Sequence, residues 1–229
     1  MIIRLIREKM RKVIVASTIM LLLLFPIATV RATPGTIQLI GKEWDHDNLK
    51  VYVKVSPKLQ DYISDVLVAL NDWSTALEGA SENTVDNSEI GGEVDGIFDF
   101  QLVDSSREAD IVITLHRGTF AGVLGMAILQ DKDNDGYFDK VKISVKVGSG
   151  VATREDVRNV LRHELGHALG LGHSDDPGDL MYPTYDASSV NVDVLPSSLD
   201  VNALLHIYYN DGFGLPNLPP EMIPPSYSE

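Results

Sequence analysis

Three histidines and one glutamate carry the chemistry that this sequence can do. His163 and His167 are four residues apart, so on a helix both imidazoles lie on one face, a turn from each other, within reach of one metal ion. Gly170 follows, where a helix can end in the left-handed turn that glycine enters without steric cost, and that turn returns His173 to the same point in space. Three neutral imidazoles leave one position of a tetrahedral zinc open, and a water held there has its pKa lowered to about 7, a nucleophile at neutral pH. Glu164, between the first two histidines, is the carboxylate that hydrolysis would use as a general base. An exported metal-binding or adhesion module without turnover needs the histidines but not Glu164, and the presence of Glu164 favours the enzyme. His46, His116 and His206 lack any such spacing and read as surface or packing residues.

A second group of oxygen ligands sits upstream. Asp131, Asp133, Asp135 and Asp139 repeat the spacing of an EF-hand-type calcium loop, with Gly136 at the sharp turn, but the twelfth position is Lys142 rather than a bidentate Glu. A calcium loop and a solvated acidic hairpin turn both fit this pattern.

Composition narrows the partners. The chain has 229 residues, 44% apolar and 23% charged, which suits one globular domain with extra segments. With 19 basic against 33 acidic residues its net charge is -14, which excludes a general electrostatic footprint for nucleic acid. There is no cysteine, so any metal must be held by His, Asp or Glu. Arg4, Arg7, Lys9, Arg11 and Lys12 precede an uncharged run from Val13 to Val30, and Val30-Arg31-Ala32 offers small residues at cleavage spacing. Residues 1–32 therefore read as a secretory signal, with an uncleaved membrane anchor as the alternative. Export to the extracellular side is the expected localisation either way.

The elements that must position the histidines are legible from periodicity. A half-buried strand is expected at Val51–Val55, and Ser56-Pro57 then opens a long amphipathic helix through Leu59, Tyr62, Ile63, Val66, Leu67, Leu70, Trp73 and Leu77. Residues 79–96 read as a polar loop, and strands follow at Phe98–Val103, Ile111–Leu115, Val123–Leu129 and Val141–Val147. Thr153 with Asp156 three residues on caps a second helix that buries Val157, Val160, Leu161, Leu165 and Leu169 and stops at Gly170. A third helix spans Ser197–Tyr209, and beyond Gly214 the proline-rich stretch 215–229 is not expected to form regular structure. The fold class is α/β (α+β), a mixed sheet of about five strands with helices.

The run His163-Glu-Leu-Gly-His-Ala-Leu-Gly-Leu-Gly-His173 followed by Ser174 resembles the metzincin zinc endopeptidases, and that serine is similar to the matrixin branch, the matrix metalloproteinases and their prokaryotic relatives. Leu180-Met181-Tyr182-Pro183 looks like the family's Met-turn, which implies that Met181 lies beneath the three imidazoles. The weaker resemblance runs from Trp44 to Tyr209 through Trp73-Ser74, Ala109-Asp110-Ile111, Gly122-Val123-Leu124-Gly125 and Asp200. It implies a twisted sheet backed by two helices, a zinc cleft under the edge strand, a small C-terminal subdomain, and a peptidase domain over residues 33–214. It also implies that Leu124 and Gly125 pair with a protein or peptide substrate as an added strand, that Pro183, Thr184 and Tyr185 wall the pocket for its side chain, and that Asn159 shapes the pocket floor. Met126 stands where matrixins place a histidine for a second, structural zinc, so that ion is not expected, and cysteine-based latency has no cysteine to act through.

Overall fold

The structure is a computed structural model and describes residues 35–84, 97–117, 123–148, 153–184, 192–208 and 222–223, with side chains in the first helix described through Glu78. The segment 1–32, Tyr185 and most of the tail lie outside the described residues, and among those described no helix is long and apolar enough to cross a membrane.

Five strands form the main sheet in the order β3-β2-β4-β6-β5, from β2 (Asn48–Val55), β3 (Asp99–Leu102), β4 (Ile111–His116), β5 (Gly125–Gln130) and β6 (Lys140–Lys146). Four of them run parallel, and β5 alone is antiparallel, against β6 at Gly125↔Val145 and Ala127↔Ile143. The central strand β4 is the near-continuous apolar run that burial on both faces requires, with Ile111, Val112, Ile113 and Leu115 all buried. Edge position has the opposite effect on β3, where Leu102 is 52% exposed although alternation with Phe98 and Phe100 placed it inward.

Ser56 and Pro57 open a short 3-10 turn, Pro57–Tyr62, before α1 (Ile63–Thr84) begins. Its buried stripe is Val66, Ala69, Leu70, Trp73 and Leu77, which leaves Leu67 on the margin at 43% exposure rather than in the core. The second helix, α2 (Arg154–Ala168), starts from a complete capping box. The Asp156 N–H donates to the Thr153 hydroxyl oxygen and the Thr153 N–H to the Asp156 carboxylate, an arrangement that typically stabilises a helix by about 1 kcal/mol. Two buried indoles tie the chain to α2: Trp73 Nε1–H donates to the Arg162 carbonyl at 2.9 Å and Trp44 Nε1–H to the Ala168 carbonyl at 2.8 Å.

Beyond α2 the chain departs from the expected loop. Leu171–Ser174 is a strand, β7, paired antiparallel with an N-terminal strand, β1 (Ile37–Leu39), which pairs on its other side with β8 (Met222–Ile223). His173 is thus held on a strand of a second sheet, and the proline-rich tail contributes two residues of regular structure after all. The last helix, α3 (Ser198–Tyr208), buries Leu199, Leu204, Leu205 and Tyr208 as the periodicity predicts. Its Tyr208 hydroxyl donates to the Leu169 carbonyl at 2.9 Å, fixing the end of α2.

Candidate active site

The helix α2 delivers His163, Glu164 and His167 to the floor of a cleft beneath β5. Gly170 then turns the chain at φ 104°, and its carbonyl accepts the Ile40 N–H, which starts β7 against β1. A Cβ at Gly170 would sit 2.9 Å from the Lys42 carbonyl oxygen, so both the angle and the space call for glycine. The outcome is that one ligand atom from each of His163, His167 and His173 lies within 4.8 Å of the others, with ring centroids 4.7, 4.9 and 5.5 Å apart.

Tautomers are set by the backbone. His163 Nδ1 lies 2.8 Å from the Leu180 carbonyl and His167 Nδ1 2.8 Å from the Leu171 carbonyl. A carbonyl only accepts, so each Nδ1 carries the proton and each Nε2 keeps its lone pair. Burial lowers the pKa of all three histidines, and in His167, where the nearby His163 adds to it, the value falls to about 4. Three neutral imidazoles with two Nε2 lone pairs fixed by second partners fit zinc, whose nitrogen ligands at about 2.0–2.1 Å would stand roughly 3.3 Å apart.

Glu164 is 6% exposed, and burial pushes its carboxyl up to about 7 against the opposing effect of a hydrogen bond from the Ala127 N–H. That bond follows from the strand register. The Lys146 N–H donates to the Leu124 carbonyl at 2.9 Å, so the alternation of an antiparallel pair turns the backbone of Gly125 and Ala127 toward the open edge. A Cβ on Gly125 would fall 2.5 Å from Glu164 Oε1 and 2.4 Å from Val160 Cγ1, which is how closely this strand approaches the helix.

Met181 is fully buried under the site, where a Cβ on Gly166 would come within 2.4 Å of its sulfur. The turn that carries it is held by its own backbone: the Ser174 N–H donates to the Met181 carbonyl at 2.9 Å, and the Met181 N–H to Asp179 Oδ1 at 2.9 Å. The Ser197 hydroxyl donates to Asp179 Oδ2 at 2.5 Å, which links the turn to the start of α3. Burial first, and Asp179 second, hold the Asp200 carboxyl beside it well above the ordinary carboxylate range.

The cleft, about 820 Å³, is lined by Leu124, Gly125, Asn159, Pro183 and Thr184 together with the three histidines and Glu164. Every expected cleft residue that is described thus borders one space. The Leu124 carbonyl, however, is spent on Lys146, and the Asn159 side chain is bonded through both its oxygen and its nitrogen. Its Nδ2–H donates to the Val192 carbonyl at 2.9 Å, and its Oδ1 accepts from Val194 N–H and Arg162 Nη1–H, both at 2.8 Å. Sequence reading passed over Arg158, Arg162 and Asp193, which surround Asn159; charged residues at helical spacing ordinarily signal a solvated face, and the aspartates that the two arginines meet lie 31 to 93 residues away.

In the acidic hairpin, Asp131, Asp133 and Asp139 converge within 4.8 Å, and Asp135, whose Oδ1 accepts the Tyr137 N–H, is not among them. Asp131 is already paired with the Lys42 ammonium, which holds its carboxyl below the ordinary range.

Comparison with known proteins agrees with this geometry. A sequence model of the matrixin family matches residues 43–209. Metalloendoproteinase 1-MMP of Arabidopsis thaliana is 27% identical over 185 residues, covering 72% of this chain and 44% of that protein. Human matrix metalloproteinase-20 is 33% identical over 173 residues, 69% of this chain and 30% of the relative, and Xenopus laevis matrix metalloproteinase-18 is 49% identical over 49 residues, 21% of this chain and 10% of the relative. The chain spans less than half the length of these relatives. With the family's model matched over most of the chain and a mixed five-stranded sheet of the kind its fold has, this protein belongs to the matrixin family.

Proposed function

We propose that this chain is a zinc-dependent endopeptidase that hydrolyses internal peptide bonds of proteins or peptides outside the cell. The observation that carries the reading is the convergence in one cleft of three histidine nitrogens, a buried carboxylate and the outward-facing backbone of an edge strand. Its matrixin relatives are named as metalloendoproteinases and matrix metalloproteinases, which supports the same class of reaction. Export rests on the basic, then apolar N-terminal segment.

His163, His167 and His173 would hold the zinc. When bound, zinc supplies a Lewis acid for the scissile carbonyl and a water of lowered pKa. Gly125, with its backbone toward the cleft, receives the substrate as an antiparallel strand. The Ala127 N–H orients the Glu164 carboxylate, which takes the proton of the attacking water and delivers it to the leaving amine nitrogen. Pro183, Thr184 and Val194 line the part of the cleft that would take the neighbouring substrate side chain.

The test is cleavage of a broad peptide library by the purified protein. Internal cleavage that stops with a zinc chelator and returns on adding zinc is expected; a zinc-replete protein that leaves every peptide intact rejects the reading.

A further inference from the structure

One feature around the cleft is built from charges that the proposed chemistry does not use. Arg158 and Arg162, a turn apart on α2, both reach Asp193 in the segment 192–194 that borders the cleft through Val194. Arg158 makes the bidentate pair, Nε to Oδ1 at 2.7 Å and Nη2 to Oδ2 at 2.8 Å, and Arg162 Nη1 adds a third bond to Oδ1 at 2.9 Å. Arg162 is itself 1% exposed and anchored on α1 through Asp72, Nε to Oδ2 at 2.7 Å. Between the two arginines, Asn159 grips the backbone on either side of Asp193, at the Val192 carbonyl and the Val194 N–H.

Five bonds therefore fix three consecutive residues to the helix that carries His163 and Glu164, and Val194 is the one among the three that faces the cleft. A fork-to-fork arginine pair fixes direction as well as distance, so the carboxylate has little freedom to slide. The same bonds hold both guanidinium groups on Asp193, so neither arginine lines the cleft, and Val160 and Val194 are the apolar lining there, beside Asn159.

We propose that Asp193, held by Arg158 and Arg162, is a positioning residue for substrate selectivity: it sets the place of Val194 and so the size of apolar side chain that the cleft admits next to Glu164. The proposal rests on the endopeptidase reading for its substrate but not for its measurement, because pocket size can be read from binding.

The experiment uses the full chain loaded with zinc, as the parent and as Asp193→Ala and Asp193→Glu. The probes are three hydroxamate peptidomimetics differing only in one side chain, methyl, isobutyl or phenethyl, with dissociation constants from calorimetry. Peptides that carry the matching residues after the scissile bond give kcat and KM in parallel. A merely destabilised variant loses active fraction, which lowers binding capacity and kcat for every probe alike and leaves the ratios of dissociation constants unmoved. In the parent, the best and worst probes should differ by the roughly 10- to 200-fold that apolar pockets achieve. In Asp193→Ala that spread should shrink by about fivefold or more, with KM ratios following and kcat on the best peptide within about threefold, and Asp193→Glu should restore most of the spread. Should Asp193→Ala fail to fold, Arg158→Lys, which keeps the charge and loses the fork, is judged by the same ratios. Equal spreads in the parent and the folded variant, or no spread in the parent, overturn the proposal. A parent that discriminates among the hydroxamates yet cuts no peptide overturns the endopeptidase reading instead.

Discussion

Replacing Gly166 by alanine puts a methyl group where Met181 already is. The new Cβ would lie 2.4 Å from Met181 Sδ, 3.0 Å from its Cε and 3.2 Å from Trp73 Cζ2. Carbon and sulfur need roughly 3.7 Å, so the sulfur must retreat by more than about 1 Å into surroundings where Met181 and Trp73 are fully buried. Two effects oppose each other. Alanine gains about 1 kcal/mol over glycine in a helix interior, whereas overpacking of a closed core costs about 1–3 kcal/mol. Methionine yields more readily than a branched side chain, but its backbone is not free, since the Met181 carbonyl holds Ser174 and the adjacent Leu180 carbonyl holds His163. Because two fully buried side chains stand in the way, the cost falls in the upper part of that range, and we expect a net destabilisation of about 1–2 kcal/mol, or roughly 2–8 °C in Tm for a domain of this size. Movement of the turn should also loosen the partner of His163, and loss of such partners typically weakens zinc binding by about 10- to 100-fold. Thermal melts with and without zinc, and competition against a chromophoric chelator, read both numbers. A Gly166→Ala protein with the parent's zinc affinity and an unchanged or higher Tm would refute the reasoning, because helix propensity would then have outweighed the contact with Met181.

Other perturbations separate the parts of the account. His173→Ala should leave a two-ligand site and release zinc during purification, which elemental analysis of the folded variant checks; full occupancy would remove β7 from the metal site. The two arginines hold the Asp193 carboxyl down to about 2, so its contribution to stability is complete above its ordinary value of about 4 and is lost as pH falls from there through about 2; acid melting curves of Asp193→Asn should lack that part of the slope. In the acidic hairpin the Lys42 ammonium already occupies one side of Asp131, so millimolar calcium should raise the Tm of Lys42→Ala more than that of the parent, and equal responses would show that the lysine does not compete with the ion.

The three-histidine constellation was legible because its information is local. A four-residue spacing, a glycine that turns the chain and a capping box at Thr153 and Asp156 all act within a few residues of His163, and the structure brings each to its place. What escaped reading depends on long-range partners. Strands of three and four residues such as β1 and β7 are too short to show a period, and Met222 and Ile223 form a strand only because the outer edge of β1 is there to receive them. Leu67 and Leu102 satisfy helical and strand spacing, yet one lies on the margin of its stripe and the other on an edge strand, which spacing alone does not distinguish from the core. Arg162 is the sharpest case, a charge at helical spacing that is nearly inaccessible because Asp72 and Asp193 meet it from opposite ends of the sequence.

In the proposed reaction Glu164 moves protons and does not hold the metal. The most direct test is to measure zinc content and peptide turnover on the same preparations of the parent and of Glu164→Gln, which keeps the side chain's size and loses its basicity. Equal zinc in both proteins, with turnover lower by about 10²- to 10⁴-fold in the variant, is the predicted result. A variant that keeps its zinc and cleaves peptides within about tenfold of the parent would contradict the account, since a base other than Glu164 would then have to be carrying the reaction.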